Sequence, residues 1–151
     1  MARTVFSGTS WNYTFDGAGG MRDQLEQTIL AELQEKQYPL KAVVQNIKVG
    51  GFFFGTKEQC VVIQIDKEAQ IVISNTTVGT YLYVELYLMV QEKSGLFAAI
   101  SALTDNIFKE QKRNAVFAAA RESAESAFAK LGLKQSNSGY KGSKSETRSE
   151  D

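Results

Sequence analysis

The chain has 151 residues, of which 43% are hydrophobic and 23% charged, proportions that suit one globular domain and argue against wholesale disorder. Its 17 basic and 17 acidic residues leave no net charge, so the domain as a whole lacks the positive surface that nucleic acid requires. There is no histidine and one cysteine, Cys60, which removes imidazole bases, Ser-His and Cys-His pairs, histidine metal ligands, four-cysteine zinc sites and internal disulfides.

In chain order, residues 3–15 are rich in β-branched and aromatic types. Trp11, Tyr13 and Phe15 alternate with Asn12 and Thr14, which predicts a strand. Asp16-Gly17-Ala18-Gly19-Gly20 breaks that pattern. Over 21–37, Met21, Leu25, Ile29 and Leu33 recur every fourth residue and predict a helix. Arg22, Asp23, Glu26, Gln27, Glu32 and Lys36 form its expected polar face. Pro39 stops it and pushes Tyr38 toward extended backbone.

From Leu40 to Val90 the sequence predicts strands only. Val43, Ile47 and Val49 share a face, and Gly50-Gly51 permit a turn or bulge. Phe52–Phe54 and Gln59–Ile65 read as paired segments, Asp66–Ala69 as a polar hairpin connection, and Gln70–Thr76 as a further strand. Tyr81–Val90 has the clearest alternation. Leu82, Val84, Leu86, Leu88 and Val90 lie on one face; Tyr81, Tyr83, Glu85, Tyr87 and Met89 lie on the other. Burial of each aliphatic side chain contributes about 1.5–3 kcal/mol, so the aliphatic face should look into the core.

After Ser94-Gly95 a long helical region runs to Leu131. Thr104-Asp105-Asn106 is placed to cap a fresh helix within it. Leu96, Ile100, Leu103 and Ile107, then Ala115, Ala119, Ala127, Phe128 and Leu131, are the expected apolar stripe. Gly132 before Leu133 matches a glycine C-cap. Residues 134–151 hold one apolar residue, Tyr140, and read as a disordered polar tail beyond a single domain of residues 1–133.

This order predicts an α+β fold: a single antiparallel sheet of about five to six strands, packed on an N-terminal helix and a long C-terminal helix. The layout resembles a helix-grip arrangement, in which a curved sheet wraps a long C-terminal helix. No family motif accompanies it.

The glycine loop matches Gly17 and Gly19 of the dinucleotide fingerprint but has Arg22 at the sixth position, and no Walker lysine follows. It reads as a strand-to-helix connection. No pair of carboxylates has acid–base spacing, so no catalytic residue, cofactor or metal is expected. Cys60 alternates with apolar neighbours and reads as a buried, unreactive thiol.

The candidate ligand or interface residues are Phe52, Phe53 and Phe54, the tyrosines Tyr81, Tyr83 and Tyr87, and Leu96 with Phe97 in the nearly apolar Gly95–Leu103 run. These readings favour a non-catalytic interaction or oligomerising module that forms a homo-oligomer. Carriage of a small apolar ligand between sheet and long helix is the second reading. Peripheral membrane attachment through the phenylalanines or Leu96–Phe97 is the third, although that mode favours a basic polar face. The N-terminus lacks the apolar core of a signal peptide, and no run approaches the ~20 apolar residues of a membrane helix. With the lone cysteine, this predicts a cytoplasmic location.

Overall fold

The alternating segments pair as antiparallel strands, and the two described helices lie against one face of the sheet. In the computed structural model, residues 3–48, 57–92 and 107–135 are described. They form β1 (Arg3–Asp16), α1 (Arg22–Glu35), β2 (Ala42–Lys48), β3 (Lys57–Asp66), β4 (Ala69–Val78), β5 (Tyr81–Glu92) and α2 (Ile107–Lys130). The five strands make one antiparallel sheet in the order β1-β5-β4-β3-β2. Phe52–Phe54, Leu96, Phe97, the cap at 104–106 and residues 136–151 lie outside the described residues. No helix among the described residues is long and apolar enough to cross a membrane.

β2 to β5 form a meander, and β1 joins it at the β5 side. The chain must therefore travel from one edge of the sheet to the other between β1 and β2. The 14 residues of α1 span roughly 21 Å at 1.5 Å per residue. Five strands spaced by about 4.8 Å are roughly 19 Å across, so one helix of this length suffices.

Parity sets the core. Trp11, Leu86, Ile73, Val61 and Val44 form one row across all five strands. Leu82, Val84, Leu86 and Leu88 are buried as the alternation requires, together with Tyr13, Phe15, Ile63 and Ile71. On α1, Leu25, Ile29 and Leu33 face this layer.

On α2 the buried positions are Phe117, Ala120, Ser123, Ala124, Ala127 and Phe128. Ala115 and Ala119, expected on the apolar stripe, are exposed. Alanine carries little apolar area, so the large side chains choose the helix face. Phe117 and Phe128 lie about three turns apart on one side, and the alanines of the other side turn outward. Phe128 packs against both Tyr13 and Phe15, with ring centroids 4.8 Å apart in each case.

Polar contacts fasten the helices. In the β3–β4 hairpin, Arg113 from α2 donates to both oxygens of Asp66 at 3.0 and 3.1 Å. Lys109 reaches Glu68 at 3.1 Å. Burial tends to raise the Asp66 pKa, but the Arg113 fork, the Glu68 backbone N–H and the nearby cations together hold it below the ordinary carboxylate range. The Tyr38 hydroxyl donates to the Val116 carbonyl at 2.7 Å, tying the end of α1 to α2.

The glycine loop is spent on backbone contacts. Gly17 and Gly19 N–H groups both donate to the Thr80 carbonyl, at 2.8 and 3.0 Å. They hold the β1–α1 loop against the β4–β5 turn and are not turned toward an anion. A Cβ at Gly19 would stand 2.5 Å from the Gly79 carbonyl oxygen, whereas one at Gly20 would meet nothing within 4 Å. Gly19→Ala should therefore cost about 1–3 kcal/mol in urea unfolding, while Gly20→Ala should be neutral or stabilise by up to about 1 kcal/mol. Equal effects at the two positions would contradict this packing.

Candidate functional site

Side chains of even and odd parity on β5 go to opposite sides, so the strand that builds the core also builds an outer surface. Tyr81, Tyr83 and Tyr87 all stand on that outer face. Along the strand, Tyr83 and Tyr87 lie about 13 Å apart. Three cross-strand rows surround them: Asp16–Tyr81–Val78, Thr14–Tyr83–Thr76 and Asn12–Glu85–Ser74–Cys60–Gln45. A fourth row, Ser10–Tyr87–Val72–Val62–Val43, follows.

The face changes character along its length. Cys60, Val62 and Val72 are buried there, with Tyr87 and Met89 packed against them. At the hairpin tip the surface opens. Val78 is 58% exposed and Tyr81 43% exposed, and the two are direct cross-strand partners. Of the residues predicted from sequence, the structure thus brings Tyr81, Tyr83 and Tyr87 together. Phe52, Phe53, Phe54, Leu96 and Phe97 lie outside the described residues.

Glu85 sits in the middle of this tyrosine column. Burial pushes its carboxyl above the ordinary range, and the Tyr83 hydroxyl, which donates to it at 3.4 Å, opposes that shift only in part. Its place between Tyr83 and Tyr87 was readable from the alternation; its half-burial was not, because burial depends on residues distant in the chain. Cys60 is buried on the same face, as its apolar neighbours suggested.

A second polar cluster lies on the inner face. Glu26 of α1 is 0% exposed. Gln59 of β3 donates to it at 2.7 Å and Asn75 of β4 at 3.1 Å. Asn75 Oδ1 has no hydrogen-bond partner among the described residues. The helical period had assigned Glu26 to the solvated face, and Glu32 as well. Glu32 is 2% exposed and pairs with Lys130 of α2. The Lys130 ammonium, followed by the Ser126 hydroxyl, holds its carboxyl below the ordinary range. Two elements bury these carboxylates, the sheet below α1 and α2 beside it, and neither is visible in the helical period.

Among the described residues no cluster of three or more Cys, Asp or Glu is arranged to hold a metal ion. Neutral amides surround Glu26, and a tyrosine hydroxyl touches Glu85. Both arrangements hold a carboxyl group in place.

No family model matches the sequence, and no curated protein matches it. Among solved structures, it is similar to the exocytosis-sensitive phosphoprotein pp63/parafusin (phosphoglucomutase) from Paramecium in its open form, at 14% identity and a TM-score of 0.39. The match covers 82% of this chain and 20% of that one, so this chain spans about a fifth of its length. A likeness at this level carries no argument about activity.

The raised pKa of Glu85 sets a pH dependence. The folded chain binds this proton more tightly than the unfolded chain does. The ionised group therefore destabilises the fold above its folded pKa. That penalty fades as pH falls through the folded value toward the ordinary one. Glu85→Gln should raise the thermal midpoint at about pH 7, and the gain should shrink toward about pH 4. A gain that grows on acidification would have the wrong sign for this assignment.

Proposed function

We propose that the chain is a non-catalytic interaction module that self-associates through the outer face of its sheet. The observation that carries this reading is the column Tyr81, Tyr83, Glu85, Tyr87, continuous at its open end with exposed Val78. Tyrosines offer broad apolar rings and a polar tip, the combination enriched in protein interfaces. A second copy is the occupant, because a chain with zero net charge meets no long-range repulsion from itself. A two-fold contact would set each tyrosine column against its symmetry mate. The lone cysteine suits a reducing, cytoplasmic setting.

Closing this face would take Glu85 further from water and favour its protonated form. Association should therefore take up protons and tighten as pH falls. Analytical ultracentrifugation of the full chain should show a concentration-dependent dimer with Kd at or below about 1 mM. Val78→Asp combined with Tyr81→Asp should return it to monomer with an unchanged circular dichroism spectrum. A wild-type chain that stays monomeric up to about 1 mM would sink the proposal.

A further inference from the structure

A cavity of about 530 Å³ opens between α1 and the edge strand β2, within the range of small-molecule sites. Its apolar wall is Leu30, Leu33, Tyr38 and Leu40. The wall is held from behind. The Tyr38 backbone N–H donates to the Leu33 carbonyl at 2.9 Å, and its hydroxyl to the Val116 carbonyl at 2.7 Å. Burial pushes the Tyr38 phenol up to about 12, so it remains a neutral donor and the ring stays anchored. On the open side, β2 pairs with β3 alone among the described strands.

Charge at the cavity has one sign. Lys41 lines it, with the neutral amides Gln27 and Gln34. The carboxylates of α1 are engaged elsewhere: Asp23 with Arg22, Glu26 with Gln59 and Asn75, and Glu32 and Glu35 with Lys130. Lys41 makes no ion pair or side-chain hydrogen bond among the described residues. An apolar wall with an unpaired ammonium and two amide groups suits a molecule with an apolar body and one anionic end.

We infer that this cavity binds a monocarboxylate with an alkyl chain, its carboxylate toward Lys41 and its chain against Leu30, Leu33 and Leu40. The site is separate from the outer face and stands or falls independently of self-association. Lys41 supplies charge preference, and the leucine wall supplies most of the affinity. An exposed ion pair contributes about a three- to fivefold preference for the anion. A ligand of about ten heavy atoms at drug-like efficiency binds with Kd on the order of several millimolar.

The test is titration of the ¹⁵N-labelled full chain with octanoate, octanamide and octylamine, read by amide chemical shifts. Octanoate should saturate shifts at Leu33, Leu40 and Ala42, with octanamide about three- to fivefold weaker and octylamine weaker still. Lys41→Gln should bring octanoate to the level of octanamide. Ala31→Trp, on an exposed position of the cavity lining, should abolish binding of all three at unchanged thermal midpoint. Gln27→Trp serves as a second block if the first variant is destabilised. Shifts confined to the Tyr83–Tyr87 face, no saturation, or equal binding of the three head groups with no effect of Lys41→Gln would overturn the assignment.

Discussion

The pairing of β5 with both β1 and β4 is the constraint from which the remaining architecture follows. Its aliphatic face carries Leu82, Val84, Leu86 and Leu88, all buried. A slip of one residue would move all four to the outer side and bring tyrosines and Glu85 into the core. At about 1.5–3 kcal/mol for each aliphatic side chain, that exchange exceeds any gain from alternative turn geometry. The register in turn aligns Trp11, Tyr13 and Phe15 with the same layer and leaves Phe128 of α2 a defined seat between two rings.

Apolar burial does not by itself orient the helices, since an alanine-rich face such as that of α2 can slide or rotate at small cost. The polar contacts remove this freedom. Arg113 grips both oxygens of Asp66 at the β3–β4 hairpin, Tyr38 hydrogen-bonds the Val116 carbonyl, and Tyr13 donates to Glu125 at 2.7 Å. Arg121, paired with Glu125, stands 4.4 Å over the Trp11 ring. Each partly exposed ion pair is modest in energy. Their value lies in position, because they join the first half of α2 to the β3–β4 hairpin and the α1–β2 connection, and its second half to β1.

The two surfaces argued to bind follow from the same topology. With the described helices α1 and α2 on one side of the sheet, the opposite side is left to be solvated or covered, and it carries tyrosines around a half-buried carboxyl group. The crossover that brings α1 to the far edge delivers the chain to β2 through Tyr38-Pro39-Leu40, and the gap beside this connection becomes the cavity. Glu26 marks a third consequence. A carboxylate fully enclosed between α1 and the sheet needs the Gln59 and Asn75 amides to offset its loss of water, so this part of the core is tied to one arrangement of α1 over β3 and β4.

How far the sequence reaches depends on whether a signal is local. The alternation of 81–90, the four-residue period of 21–37 and the cap at Gly132 are short-range patterns that reappear as β5, α1 and the end of α2. The helix stop expected at Pro39 comes earlier, at Glu35, where Gln37 takes a φ of 56° and the Tyr38 N–H donates to the Leu33 carbonyl. Gly132 has a φ of 72°, and the Leu133 N–H donates to the Phe128 carbonyl at 2.9 Å. The tyrosines of the candidate surface were legible for the same reason, because parity alone puts them together. What the tertiary structure decided is whatever depends on neighbours distant in the chain. It enclosed Glu26 and Glu32, turned Ala115 and Ala119 outward, half-buried Glu85, and placed Lys41 beside the leucines of α1. Amphipathic periods report which face of an element is apolar. They do not report which other element lies over a charged residue, and that alone separates a solvated glutamate from a buried one.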